Sequence, residues 1–467
     1  MIRMHVHIHT MDTKYKELHR EAISNQTGSS LLETYTSLFP LPIHIIIFIW
    51  MSTGTNHSKK INSPTVWMFL FEFITMVLPT VFNLTLFSDY SVGQFLVYIS
   101  IFSIAFIWML LNNNYISSST IKTKKNPYMT VYRFMLNTYT VFCILAVDFN
   151  VFPRRFAKTE TYGHSIMDIG VGCYVCSNAL LFSIPNTQNM SKIVLKVFKQ
   201  VLPLLVLGIG RTYFVTKAEY HHYVFEYGVH WNFFMTLAFL KIINLFMLPF
   251  VSTCCLSGIA TILVFIYEFA LNFGLADWIM SDAPRDTMFS ANREGIFSLI
   301  GYEAIFLYSL SMKSRFSIFM NKNHLINSMF LLIVTASLSI ALFLLTFVIS
   351  FVFGVSRRLA NAGYVYWILS ISSYLLFMSL IIENFITILL HKMGQLGEFN
   401  RVSLIIDSIN DNLLLFFLFA NVTTGVINMC LYTLVMNAVY SLTILSLYMF
   451  VIYFTIYILQ NYKKKIV

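Results

Sequence analysis

Long apolar runs alternate with short polar connections from near Leu38 to the C-terminus. A helix rises about 1.5 Å per residue, so about 20 apolar residues cross the hydrocarbon core of a bilayer. Read with that window, the chain predicts thirteen membrane-spanning helices, at roughly 37–52, 65–87, 92–111, 129–147, 165–183, 200–216, 231–249, 256–275, 296–311, 327–353, 364–390, 412–430 and 438–459. The longest connections are about twenty residues, too short for a soluble domain. The expected fold is all-α and polytopic: an N-terminal segment, residues 1–36, and then one multi-pass unit over 37–467. No internal repeat of the kind many secondary transporters carry is visible.

Composition sharpens this picture. Of 467 residues, 57% are hydrophobic and only 11% charged, with a mean hydropathy of +0.70. A soluble domain carries about 25% charged residues, so a water-soluble enzyme and a disordered chain are both excluded. The formal net charge of +10 comes from short Lys and Arg clusters between apolar runs. Such clusters set topology and do not make a nucleic-acid-binding face, so no nucleic-acid partner is expected. Cys173 and Cys176 form one C-x-x-C inside an apolar run, without a second pair, and read as small buried hydrophobes. His5, His7 and His9 alternate ahead of the first span, but one short cluster is slim ground for a metal site, and no metal is expected.

Loop charges predict the orientation. Lys59 and Lys60; Lys122, Lys124 and Lys125; Lys192, Lys196 and Lys199; Lys313, Arg315 and Lys322; and Lys463, Lys464 and Lys465 fall on one side when the spans alternate. By the positive-inside rule that side is cytosolic, which puts the N-terminus in the lumen and the C-terminus in the cytosol. Three clusters break the rule: Arg154, Arg155 and Lys158 with Asp148 and Glu160; Arg285 and Arg293 with Asn292 and Glu294; and Arg357 and Arg358 with Asn361. Charges at the edge of a bundle are costly unless paired or used. Snorkelling is the simpler reading, but three clusters on one face point to a shared site for an anion such as phosphate. Of the N-x-S/T sequons at Asn25, Asn56, Asn83, Asn189 and Asn421, only Asn25 is expected to be both lumenal and free of a span.

The same regions carry long, unusual strings. They are Ala146-Val147-Asp148-Phe149; Phe152-Pro153-Arg154-Arg155-Phe156-Ala157-Lys158-Thr159-Glu160; and Met167-Asp168-Ile169-Gly170-Val171-Gly172. Further on come Glu226-Tyr227-Gly228-Val229-His230-Trp231-Asn232, Ser290-Ala291-Asn292-Arg293-Glu294-Gly295, Ser356-Arg357-Arg358 with Ala360-Asn361, and Ala420-Asn421-Val422-Thr423-Thr424-Gly425 with Ile427-Asn428. With these blocks in this order, the chain from about residue 15 to its end resembles the PIG-W-like inositol acyltransferases of GPI-anchor biosynthesis. It departs at Asn150, where that family usually has Pro, and at His164, where a small residue or Thr is common. The resemblance implies a multi-pass enzyme of the endoplasmic reticulum membrane. Such an enzyme moves a long acyl chain, typically palmitoyl, from acyl-CoA to the inositol ring of glucosaminyl-phosphatidylinositol. Acyl-CoA is then a co-substrate, no cofactor is implied, and the bilayer is the remaining partner.

Acyl transfer to a hydroxyl needs a base, an oxyanion stabiliser and two substrates held close. Asp148 ends an apolar span and is the expected base; Lys158, on the same loop, stabilises the oxyanion or pairs with Asp148. The resemblance points to the same two residues. His230, with Asn232 beside it, is the second candidate base. The guanidinium forks of Arg154, Arg155, Arg293, Arg357 and Arg358 suit the phosphates of both substrates. Asp168, Asn232, Asn292 and Asn361 complete the expected substrate-binding set, and Gly170 and Gly172 are expected to let a neighbouring helix approach Asp168 closely. Two other readings stand beside the enzyme: a transporter using Glu72, Asp168, Arg211, Lys241 and Glu383 along a solute path, and a non-catalytic membrane subunit.

Overall fold

A computed structural model of the chain describes residues 15, 18, 21, 22, 24–54, 66–112, 127–184, 190–217, 224–320, 326–392 and 403–466. His5, His7 and His9, Asn56 and Asn189, and Lys59, Lys60, Lys122, Lys124, Lys125 and Lys322 of the clusters expected to face the cytosol lie outside the described residues. The described residues are helical apart from turns and one isolated antiparallel bridge between Ser29 and His164.

Each predicted apolar segment is met by a helix. They are α1 (Leu31–Ser52), α2 (Val66–Asn83), α3 (Ser91–Leu111), α4 (Pro127–Ala146), α5 (Ile169–Leu181) and α6 (Met190–Lys217). After these come α7 (Phe233–Phe250), α8 (Leu256–Met280), α9 (Arg293–Met320), α10 (Ile326–Phe353), α11 (Ala362–Lys392), α12 (Leu413–Cys430) and α13 (Ala438–Ile466). Ten helices among the described residues are long and apolar enough to cross a membrane, and the chain is a polytopic membrane protein. α4, α5 and α6, the other three predicted spans, are helices that are shorter or more polar than these ten. At 13 residues, α5 reaches about 20 Å against about 30 Å of hydrocarbon. α4 carries Arg133, Asn137, Thr138 and Thr140, and α6 carries Lys199 and Arg211.

The first helix starts earlier than its apolar pattern because Ser30 caps it, its hydroxyl accepting the Glu33 N–H at 3.1 Å. α11 is the most buried of the ten and packs on α1, α4, α5, α9 and α10. α3 and α10 turn apolar side chains such as Leu96, Ile104, Ile333 and Phe351 outward, as lipid-facing helices do.

Carboxylates from other helices hold three helix starts. The first N–H groups of a helix have no acceptor within it, and an oxygen from elsewhere meets them here. Glu72 of α2 accepts from Leu404 N at 3.0 Å, Ile405 N at 2.8 Å and the Ser403 hydroxyl at 2.6 Å, at the start of a short helix, Leu404–Asp411. Glu383 of α11 accepts from Tyr128 N, at the start of α4, at 3.2 Å. Glu268 of α8 accepts from Ala362 N, the start of α11, at 2.8 Å. Glu72 and Glu383, two members of the transporter reading, are thus engaged as helix caps.

Close backbone approach is needed in two places. A Cβ added at Gly172 of α5 would come within 2.6 Å of Ile368 on α11, whereas one at Gly170 would meet only the Thr140 hydroxyl, at 3.9 Å. One of the two expected glycine contacts is therefore tight. A Cβ at Gly301 of α9 would strike the carbonyl of Ala360, a residue itself in the left-handed region at φ 49°. That contact seats the 354–361 loop.

Candidate active site

The connection after α4 folds back on itself around Asp148. Arg154 Nη1 donates to the Val147 carbonyl at 2.6 Å and Nη2 to the Phe149 carbonyl at 3.3 Å, so one guanidinium grips the chain on both sides of Asp148. The Asp148 carboxylate is buried and accepts a 2.7 Å hydrogen bond from Asn428 of α12. Arg155 leans the other way. Its Nε donates to Glu33 at 2.7 Å and its Nη2 to Asp89 at 2.8 Å, and a third of its side chain stays exposed.

Lys158 does not join Asp148. Its ammonium pairs with Glu226 at 2.7 Å, because the segment before α7 brings that carboxylate across the loop. The same Glu226 oxygen accepts from Arg357 Nη1 at 3.2 Å, and Arg357 Nε donates to Asp168 at 2.8 Å. Asp168 lies just ahead of α5 instead of within a span, and its other oxygen accepts from the Thr159 N–H at 3.1 Å and the Thr159 hydroxyl at 2.7 Å. Burial pushes the Glu226 carboxyl up, but the Lys158 and Arg357 charges outweigh it and bring its pKa down to about 2. Burial works against charge on Arg357 too, yet Glu226 and Asp168 raise its pKa and keep the guanidinium charged.

The three cation-bearing loops meet. Arg358 Nη1 donates to the Glu160 carbonyl at 3.2 Å, and its Nη2 lies 3.8 Å from Glu294, which also takes Arg285 Nη2 at 2.6 Å. Arg293 is fully buried at the start of α9. It donates to the carbonyls of Ile279 at 3.2 Å and Ala283 at 3.1 Å and to that of Ser281, which closes the α8–α9 connection. The Asn361 side chain binds the backbone of its own loop, accepting from Ser356 N at 3.0 Å and Tyr364 N at 3.2 Å. Guanidinium forks fit carbonyls as well as phosphates, and in Arg154 and Arg293 they are turned inward.

The remaining expected residues lie on the α7 side. His230 has an exposed ring, and its hydrogen bonds run through its backbone: its N–H donates to Asn292 Oδ1 at 2.8 Å, and its carbonyl accepts from Thr212 at 3.4 Å. Asn232 caps α7, accepting from Phe234 N at 3.0 Å and Met235 N at 3.3 Å. His164 packs edge-on against Trp367 of α11, with ring centroids 5.0 Å apart, and burial lowers its pKa to about 4. Sequence reasoning gave no role to Glu226 or Asn428. The available signal was a polar residue within an otherwise apolar or aromatic stretch of the quoted strings.

Sequence similarity to known proteins extends over almost the whole chain. The chain is 31% identical to the "Phosphatidylinositol-glycan biosynthesis class W protein" of Dictyostelium discoideum, over 97% of this chain and 99% of that one. It is 32% identical to the "GPI-anchored wall transfer protein 1" of Schizosaccharomyces pombe, over 93% of this chain and 96% of that protein. With the human "Glucosaminyl-phosphatidylinositol-acyltransferase PIGW" it shares 28% identity, over 97% and 99% respectively. The family model described as GWT1 matches residues 15–459. The chain belongs to the GWT1 family.

Proposed function

We propose that this protein is an O-acyltransferase of GPI-anchor biosynthesis in the endoplasmic reticulum membrane. It transfers a long acyl group, palmitoyl by preference, from acyl-CoA to an inositol hydroxyl of glucosaminyl-phosphatidylinositol. The observation that carries this reading is the end-to-end similarity to the human protein whose name states that acyltransferase activity. The Asp148 and Lys158 loop lies inside the matched region. In the proposed step Asp148 takes the proton of the inositol hydroxyl, whose oxygen attacks the thioester carbonyl. Lys158 steadies the oxyanion that develops there, the C–S bond breaks, and coenzyme A leaves as its thiol after taking up the proton. Arg155, the arginine of the site with a third of its side chain exposed, is the proposed contact for substrate phosphate. His230 is the alternative base.

The test is transfer of labelled palmitate from palmitoyl-CoA to glucosaminyl-phosphatidylinositol by microsomes from cells lacking their own enzyme and expressing this chain. A product labelled on the inositol ring is expected. Microsomes that hold the protein and make no such product would overturn the reading.

A further inference from the structure

We propose that Glu226 is a positioning residue for acyl transfer, holding the Lys158 ammonium in the place from which it meets the reacting carbonyl. The proposal rests on the acyltransferase reading above, and it names a residue whose part is to fix another.

The contacts form a closed ring. Lys158 donates to Glu226 at 2.7 Å, Glu226 accepts from Arg357 at 3.2 Å, and Arg357 donates to Asp168 at 2.8 Å. Asp168 accepts from the backbone and hydroxyl of Thr159, and Thr159 is bonded covalently to Lys158. Lys158 is therefore fixed at both ends, at its main chain through Thr159 and at its ammonium through Glu226. Charges alternate around the ring, two carboxylates against two cations, so no member is left as an uncompensated charge.

Burial grades along the same path. Side-chain exposure is 1% at Asp168, 4% at Arg357 and 18% at Glu226, then 39% at Lys158. The rigid end lies inside, and the ring delivers one cation to the surface. A lysine has a flexible four-carbon stem and no fixed geometry of its own. An oxyanion stabiliser works only when it is in place before charge develops. Glu226 supplies that placement, and Arg357, anchored by Asp168, keeps Glu226 from following the lysine into solvent.

The experiment compares the full-length protein with Glu226→Gln, Lys158→Ala and the double variant. It reads kcat and KM for both substrates, the melting temperature, and the rate at which an amine-acetylating reagent labels Lys158. Glu226→Gln should lower kcat by roughly 10–100-fold, below the full loss of a preorganised donor, with KM and melting temperature little changed. The double variant should be no slower than Lys158→Ala alone, since the two act as one unit. Lys158 should label several-fold faster once its carboxylate partner is gone. Retention of more than half of kcat in Glu226→Gln, or losses that multiply in the double variant, would overturn the proposal. Where Glu226→Gln lowers the melting temperature, Glu226→Asp is measured instead; it keeps the charge on a shorter arm and should restore stability but only part of kcat, and full kcat in that variant sinks the idea. A wild-type chain that transfers no acyl group sinks the acyltransferase reading. A labelling rate unchanged by Glu226→Gln sinks the hold on Lys158, whatever the activity.

Discussion

Asn428 of α12 donates a 2.7 Å hydrogen bond to the Asp148 carboxylate, joining positions 280 residues apart. Arg154 bonds the carbonyls on either side of the same aspartate. The proposed base is thus oriented by one side chain from a distant helix and by another from its own loop.

Asp148→Asn keeps that shape and removes the base. Turnover should fall roughly 10²–10⁴-fold, the usual contribution of a positioned base, while melting behaviour stays normal. A purified Asp148→Asn protein with near-normal acyl transfer would refute the assignment and turn attention to His230.

Arg357 should behave differently. Replacing it with Ala strands the buried Asp168 and takes one of two cations from Glu226, and removing one partner of a buried ion pair costs about 3–5 kcal/mol. Arg357→Lys should recover little, because a point charge does not reach two acceptors in the geometry of a fork. Lys158→Ala, at the exposed end, should cost at most about 1 kcal/mol of stability. Denaturant or thermal unfolding in detergent checks the contrast; equal losses at the two positions would contradict it.

His164 predicts a pH dependence. Burial lowers its pKa to about 4, against about 6.5 in an unfolded chain. Between those values the unfolded chain binds a proton that the folded protein does not. The stability tied to a neutral His164 is therefore present in full above about pH 6.5 and is lost as pH falls toward 4. Melting temperatures measured from pH 7 to pH 4 should fall more steeply for the wild type than for His164→Thr. Parallel curves would show that His164 is not the group that titrates.

Orientation rests on loop charge. A tag placed after Val467 should be digested by protease added to intact microsomes, since the C-terminus is expected on the cytosolic side. Protection of the tag would reverse the assignment or change the parity of the spans.

Helix positions were legible in the sequence because hydropathy sums over about 20 residues. Every apolar segment became a helix, yet the sum also hid the true length of α5: Ile166, Met167 and Phe182 extend its apolar signal past the helix itself. Ser30 moved the start of α1 by local hydrogen bonding, which a hydropathy window does not register. At the candidate site, the loops that meet were legible and the partners within them were not. Lys158 and Asp148 are ten residues apart in sequence, which made them look like a pair, while the true partner of Lys158 is 68 residues away. A cation between apolar runs reads the same whether it faces a phosphate or three carbonyls. For Arg293 only the fold, by burying it completely, separates the two.

The cap that Glu72 gives the Leu404–Asp411 helix has a consequence for how the protein is made. Its hydroxyl partner, Ser403, is encoded 331 residues later. At about 5–20 residues per second, the ribosome reaches that residue roughly 15–70 s after it has added the glutamate. Throughout that interval α2 occupies the membrane, or the insertion machinery beside it, with an acid whose donors do not yet exist. A chain cut short anywhere before residue 403 leaves the acid in that condition permanently, although every residue of α2 is intact. The polar partners of a group near the N-terminus are thus supplied only by residues 403–405, close to the end of synthesis.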